Sequence, residues 1–331
     1  MKFLVIGLGS MGKRRIRCLK ALDQENIIGV DIREDRRDEV ARLFDVKTLE
    51  SLEKAYVEFK PDAVLVCNNP IQHAADIIEA ISYNCHVFSE TTIIPDGMNE
   101  IISASSKKNL VVAASSTLRF KEPIKKLKSI LQEERIGKVY AYDYHVGQYL
   151  KDWHPWEDIR DFFVSNPRTS GCKELLSIQL PCLNWIFGEI NLARSEKATL
   201  GDLGMGIEDY YHLSIQHKTN IRGSFVIDVL ACPSINSMKI FGDKGTIVWD
   251  GTHTIRLWTT SKQSWEEIKI AEEITRVGGY NEFIYEEPYI KELEEFISAI
   301  RTDRKPSYDF SEDIKVAALI SELAGETGSM H

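Results

Sequence analysis

The chain has 331 residues, 43% hydrophobic and 27% charged, with 41 Lys+Arg against 50 Asp+Glu and a formal net charge of −9. That length accommodates one large domain or two ordinary ones with a sizeable core, and the acidic balance argues against a global attraction to nucleic acid or to an anionic membrane. No apolar run approaches the roughly 20 residues of a membrane span, and the six scattered cysteines contain no CxxC pair, which argues against a zinc site or a disulfide framework and for reduced thiols in a cytoplasmic setting.

Residues 1–115 alternate short apolar runs with amphipathic ones. Phe3–Ile6, Ile27–Asp31, Ala63–Cys67, His86–Ser89 and Leu110–Ala114 read as strands; Gly12–Leu22, Ile71–Ser82 and Gly97–Lys107 read as helices. Strand–helix alternation at this spacing predicts a doubly wound parallel sheet, and strands that are apolar throughout fit a sheet covered on both faces. After Phe120 the pattern changes. A helix is expected at Pro123–Glu133, followed by strands Lys138–Gly147, Tyr210–Gln216, Gly223–Val229, Met238–Phe241, Thr246–Trp249 and Thr254–Trp258. Tyr211, Leu213 and Ile215 alternate with polar residues, the period of a half-buried antiparallel strand. A helix at Leu175–Phe187 interrupts this series, and helices at Tyr289–Ile300 and Ser311–Leu323 close the chain. The expectation is a Rossmann domain over 1–118 and an α+β domain with an open, mostly antiparallel sheet over 119–331.

Gly7-Leu8-Gly9-Ser10-Met11-Gly12 is a GxGxxG that follows a strand and opens a helix, the context its mechanics require. Gly7 permits the tight turn, Gly9 the approach of a pyrophosphate, Gly12 close helix–strand packing, and the diphosphate sits at the positive end of the helix beside Ser10 and Met11. Asp31 ends the second strand roughly 20 residues on, where a carboxylate takes the ribose 2′-hydroxyl and repels a 2′-phosphate. That favours NAD. Arg33, with Arg14 and Arg15, leaves NADP possible. Asn68, Asn69 and His73 follow the run Ala63–Cys67, where loops line the ligand crevice of such sheets. His73 reads equally well as a histidine packed on the sheet.

A second polar–aromatic segment holds Gln148, Tyr149, Asp152, Trp153, His154, Glu157, Asp158 and Arg160. Its rings, its cation and its carboxylates suit a sugar or sugar acid. His154 is the first candidate acid/base, since imidazole titrates near neutral pH; Tyr149 and Lys173 are the others. Arg160 is placed either to bind a carboxylate bidentately or to pair with Asp158 or Glu157. The remaining histidines have no metal-ligand spacing, so no metal is expected.

GLGSMGKRR, NNPIQH, FSETTI, TLRF, GQYLKDWHPWEDIR, LNWIFGEI, GIEDYY and IFGDKGTIVWD together resemble the glucose–fructose oxidoreductase/inositol dehydrogenase (Gfo/Idh/MocA) family, in the flavour associated with sialic-acid-like sugar pathways. The resemblance implies NAD(P)-dependent oxidation or reduction of a sugar or polyol carbon. It also implies a second domain carrying the substrate site and a homo-oligomer contact. It sets Glu90 by the cofactor and Thr91 and Arg119 by the substrate. The family's Glu-Lys-Pro is here Glu90-Thr91-Thr92, its His-x-x-Asp falls on Ile178 and Pro181, and its glycine triplet is reduced to Ser170-Gly171-Cys172. Two readings follow: an enzyme with a non-standard proton-transfer group, or a catalytically inactive NAD(H)- and sugar-binding sensor or partner-binding protein. Redox-neutral use of bound NAD is a third.

Overall fold

The computed structural model describes residues 1–153, 158–272, 274–278 and 283–326. Two compact units divide the chain, the first made of Met1–Ser116 and Pro288–Ala318, the second of Thr117–Glu287 and the chain from Leu319.

The first unit alternates β1 (Phe3–Ile6), α1 (Ser10–Ala21), β2 (Ile27–Val30), α2 (Glu34–Phe44), β3 (Lys47–Leu49), α3 (Leu52–Lys54) running into a π-helical turn, β4 (Ala63–Val66), α4 (His73–Ser82), β5 (His86–Ser89), α5 (Met98–Lys108) and β6 (Val112–Ala114). The strands pair in parallel in the order β3-β2-β1-β4-β5-β6. Every expected strand is present. The sequence gives no apolar signal for α2, which buries only Val40, or for β3, a three-residue edge strand with no buried residue.

In the second unit, α6 (Glu122–Gln132), β7 (Val139–Gly147), α7 (Gly171–Phe187), β8 (Ile190–Ala198), β9 (Tyr210–His217), β10 (Arg222–Asp228), β11 (Ile235–Gly242), β12 (Gly245–Trp249), β13 (Thr254–Thr259) and β14 (Ser264–Lys269) follow in order. The eight strands form one sheet, β14-β13-β12-β11-β7-β10-β9-β8, antiparallel except where β10 meets β7. Strand alternation turns Tyr142, Tyr144 and Phe225 to the face that carries α7. Tyr142 stacks on Phe187 at 4.2 Å, and the Tyr144 hydroxyl donates to Gln179 at 2.8 Å. The outer strands β8 and β14 escape the apolar pattern because most of their side chains meet water.

The first unit does not end at its sixth strand. Helices α8 (Glu287–Arg301) and α9 (Phe310–Ala324) begin a return of the chain, and Pro288–Ala318 packs with the first unit. The reason is coverage. One sheet face presents Phe3, Val5, Leu65, Phe88 and Ala113, and Ile16 and Leu19 of α1 cover it together with Leu293, Phe296 and Ile297 of α8. The other face presents Leu4, Ile6, Val64, Val87 and Val112, and α4 and α5 cover it together with Tyr308, Phe310 and Ala317. Each fully buried Leu or Phe contributes roughly 1.5–3 kcal/mol, so the returning segment is a substantial part of this core. Among the described residues no helix is long and apolar enough to cross a membrane.

Candidate functional site

β1 is buried throughout and delivers the chain into Gly7, whose φ of +85° suits only glycine. A Cβ there would lie 2.7 Å from the Asn68 backbone, and a Cβ on Gly12 would lie 1.9 Å from the Gly7 carbonyl oxygen. Both glycines are therefore fixed by the protein's own packing. Gly9 differs: a Cβ on it would meet only the Arg36 guanidinium, at 3.3 Å. Its outer side is left to something other than the fold. α1 starts directly after Gly9, with no capping side chain and no acid in its first turn, where Ser10 and Met11 lie half-buried. The backbone N–H groups of a first helical turn and the positive end of the helix dipole make that terminus a fit for a diphosphate.

Asp31, immediately after β2, accepts from the Leu8 backbone N–H at 2.8 Å and from that of Arg33 at 2.9 Å. The arginines raised as phosphate ligands are placed otherwise. Arg33 forks onto Asp35 at 3.0 and 2.5 Å. Arg14 is buried against the Tyr289 ring, and Arg15 is fully buried between Glu90 and Glu292. The cation beside the Asp31 carboxylate is Arg36, with Nη1 3.8 Å from Oδ2, while the Arg37 guanidinium donates to the Asp31 backbone carbonyl at 2.9 Å. Sequence reasoning passed over Arg36 because it is one of several charges on a polar helix. Its signal was its place in the first turn of that helix, just past the acid.

The carboxyl ends of β4, β5 and β6, neighbours in the sheet, bring together Asn68, Glu90-Thr91-Thr92 and Ser116. The Asn68 amide donates to Gln72 at 3.2 Å and Asp76 at 2.7 Å, whereas Asn68 Oδ1, Thr92 Oγ1 and Ser116 Oγ are buried with no hydrogen-bond partner. Buried polar atoms are nearly always partnered, so three such atoms on one sheet edge fit a polar ligand laid along it. Exposed Asn69 accepts from the Ile71 N–H at 3.1 Å, while Thr91 is half-buried. His73 is buried and donates through Nε2 to the Asn68 carbonyl at 3.1 Å. Burial drives its imidazole down to about 4, so it is neutral and shapes the Asn68 loop from beneath.

In the second unit the backbone N–H groups of Gln148, Tyr149 and Leu150 donate to the carbonyls of Asp228, Ala231 and Val229 at 3.2, 2.9 and 2.9 Å, and Trp153 Nε1 donates to the Gln148 carbonyl at 3.2 Å. This hydrogen-bonded ledge presents Gln148, Tyr149 and Trp153 half-buried. His154 lies outside the described residues. Arg160 is largely exposed and pairs with Asp158 through two bonds, the local alternative that the sequence also allowed. The Lys173 amine is buried, donates to the Pro167 carbonyl at 2.6 Å and pairs with Glu326, contacts that hold chain segments together. Buried Arg119 donates to the Pro181 carbonyl of α7 at 3.4 Å.

Two groups escaped the sequence reading. His145 Nε2 lies 2.6 Å from Asp228, whose carboxyl is pushed up by burial but held below its ordinary value overall by His145 and the N–H groups of Leu230 and Ala231. Strand alternation puts His145 on the sheet face away from α7, one residue beyond Tyr144. Lys121 donates to the Phe283 carbonyl at 2.6 Å and lies 5.2 Å over the Tyr285 ring; Tyr285 and His253 both bind Glu272, at 2.9 and 3.1 Å. Burial lowers the Lys121 amine to about 8, with Glu272 pulling it back up, so this amine exchanges protons near neutrality. Nothing in the sequence distinguishes it from other lysines, because its burial is tertiary. Among the described residues no cluster of three His, Cys, Asp or Glu could hold a metal ion.

Comparisons with known proteins agree with this architecture. Residues 1–116 match the model of an oxidoreductase family's NAD-binding Rossmann fold, and residues 128–324 match the model of the same family's C-terminal α/β domain. The chain is similar to myo-inositol 2-dehydrogenase of Thermotoga maritima, 24% identical over 344 aligned positions that cover 98% of this chain and 95% of that protein. Among solved structures, levoglucosan dehydrogenase in complex with NADH and levoglucosan matches with a TM-score of 0.82 at 16% identity, covering 99% of this chain and 98% of the other. An oxidoreductase from Agrobacterium radiobacter in complex with NAD+, L-tartaric acid and magnesium matches with a TM-score of 0.81 at 13% identity, covering 99% and 97%. At these identities the structural matches speak for the fold.

Proposed function

The chain belongs to the Gfo/Idh/MocA oxidoreductase family, with its NAD-binding Rossmann domain, and from that premise we propose that it oxidises or reduces a carbon of a sugar or sugar-acid derivative with NAD(H), using a proton-transfer group other than the family's. The observation that carries this reading is the carboxyl edge of the six-stranded sheet. There an uncapped, acid-free helix terminus beside Gly9 lies on the same sheet as three buried polar atoms that lack partners. Asp31 is the residue to hold ribose hydroxyls, the α1 terminus the diphosphate, and Asn68, Thr92 and Ser116 the polar groups of the nicotinamide half. The bound nicotinamide supplies hydride chemistry. The protein orients the sugar and manages one proton. Gln148, Tyr149, Trp153 and Arg119 supply hydrogen bonds and ring faces of the kind that sugars use, and the inositol and levoglucosan dehydrogenases among the similar proteins fit that substrate class. Asp31 favours NAD over NADP, and Arg36 is the group that leaves NADP open. A homo-oligomer is part of the same reading.

The family pattern puts a lysine at Thr91 and a histidine and an aspartate at Ile178 and Pro181, and none of the three replacements moves a proton. Lys121, Tyr149 and His154 are the proposed substitutes. The same three replacements favour the second reading, a sensor that binds NAD(H) and a sugar without turnover. Titration with NADH and NADPH, followed by nicotinamide fluorescence, tests the cofactor assignment. A panel of polyols and sugar acids, myo-inositol and levoglucosan among them, then separates the readings. Turnover with any of them supports the enzyme; tight NADH binding without turnover, together with a sugar-induced change in the fluorescence of bound NADH, supports the sensor. A purified chain that binds neither dinucleotide removes both.

A further inference from the structure

A fully buried guanidinium joins the returning C-terminal segment to the carboxyl edge of the first unit's sheet. Arg15 of α1 has no exposed side-chain surface. Its Nε donates to Glu90 at 2.6 Å and its Nη2 to Glu292 of α8 at 2.9 Å, and it lies over the Phe88 and Tyr289 rings at 4.5 and 5.2 Å. Burial opposes the charge, but the two carboxylates outweigh it and Arg15 stays ionised. Glu292 is itself buried. Besides Arg15 it accepts from the Ser116 backbone N–H at 2.5 Å and from the Ser115 hydroxyl at 3.2 Å.

The positions of these partners matter. Glu90 heads the Glu90-Thr91-Thr92 loop after β5, and Ser115-Ser116 is the exit from β6. Thr92 and Ser116 carry two of the three buried polar atoms without partners. One carboxylate on α8 therefore reaches both loops, one directly and one through Arg15. A hydrophobic helix contact would cover the sheet equally well, and an ion pair buried to this degree is no gain in stability over apolar packing. It does fix the directions of the loops that follow β5 and β6.

We infer that Glu292 is a positioning residue for the nicotinamide half of the dinucleotide site, acting through Arg15 on Glu90 and directly on Ser116, so that the returning segment completes a site begun by residues 1–116. The inference rests on the dinucleotide reading above. It assigns the diphosphate and adenosine half to elements outside the cluster of Glu292, Arg15, Glu90 and Ser116: the glycine loop, Asp31 and the first turn of α1.

The test compares two probes on the full chain. Nicotinamide fluorescence gives the dissociation constant of NADH, and competition against NADH gives that of ADP-ribose, which lacks the nicotinamide. In Glu292→Gln, NADH is expected to weaken about tenfold or more while ADP-ribose changes less than about twofold. A role confined to fold stability would leave both constants unchanged in the folded fraction or weaken both alike, and either result overturns the inference. Glu292→Asp keeps the charge but shortens the reach and serves if the first variant does not fold; the same selective loss is expected. Wild-type protein that binds ADP-ribose with the affinity it has for NADH leaves the nicotinamide half without a role and also overturns the inference. Wild-type protein that binds neither probe overturns the dinucleotide reading, and this inference with it.

Discussion

The Asp31 carboxylate accepts a hydrogen bond from the Leu8 backbone N–H at 2.8 Å, tying the end of β2 to the middle of the glycine loop. One carboxylate thus shapes the loop and stands ready for ribose hydroxyls. Arg36 approaches it to 3.8 Å without closing onto it. Removing the carboxylate should therefore affect the two cofactors unequally. Asp31→Ser is expected to weaken NADH roughly tenfold to a hundredfold, the range for hydrogen bonds to a charged group. It should weaken NADPH much less, because a 2′-phosphate no longer meets a negative charge and gains Arg36. Adding Arg36→Ala should remove that relief. Parallel NADH and NADPH titrations check both steps; equal losses for the two cofactors would remove Asp31 from cofactor selection.

The glycine loop makes a sharper distinction. Gly12→Ala would drive a Cβ to 1.9 Å from a backbone carbonyl that cannot move without breaking the turn. A loss of at least about 3 kcal/mol of stability is expected, at or beyond the upper end of ordinary overpacking. Gly9→Ala meets only the far end of a flexible arginine, so the fold should lose no more than about 1 kcal/mol. NADH binding, however, should weaken about tenfold or more, since the methyl group occupies the diphosphate's approach. Urea unfolding and NADH titration on the two variants separate the effects. If Gly9→Ala binds NADH as wild type does, the diphosphate does not lie there.

The first unit was legible because its signals are local. Period and strand–helix alternation run through 1–115 between neighbouring segments, and Gly7, Gly9, Gly12 and Asp31 all lie within 1–31, where one loop needs them together. The return of α8 and α9 was not legible, since their amphipathic pattern says that they cover something but not which sheet. Lys173 shows the same limit in the site. Its residue type allows acid/base work, but its pairing with Glu326 depends on a residue far away in sequence. Lys121 errs in the other direction: an ordinary lysine in sequence becomes a desolvated amine only when Phe283, Tyr285 and Glu272 fold over it.

His73 predicts a pH effect on stability. Burial lowers its pKa to about 4 from an unfolded value near 6.5. Between those values the unfolded chain binds a proton that the folded chain does not, so stability rises with pH across that window. The contribution is fully present above about 6.5 and is lost as pH falls towards 4, by up to about 3 kcal/mol. His73→Gln removes the titrating group and should flatten this slope while costing stability at pH 7. Urea midpoints at several pH values between 4 and 7 measure it; identical slopes for variant and wild type would mean that His73 is not buried neutral.

Lys121 offers the last prediction, on turnover. Its amine sits near 8 because burial penalises the ammonium more than the Glu272 charge stabilises it. If this amine takes the substrate proton, oxidation requires its neutral form, so the rate should rise with pH through about 8 and then level. Lys121→Met has no proton to exchange. It is expected to lose about a hundredfold or more in kcat, the usual weight of a general base, and to lose that limb of the pH profile. NADH affinity should not change, because the residues assigned to the dinucleotide all belong to the first unit. Lys121→Arg keeps a positive charge that does not titrate in the accessible range, so it should fail as the methionine variant does, which separates proton transfer from simple charge. Full turnover in either variant would pass the proton to Tyr149 or His154. With a substrate from the polyol panel in hand, kcat measured across pH 6 to 10 for the three proteins decides among them.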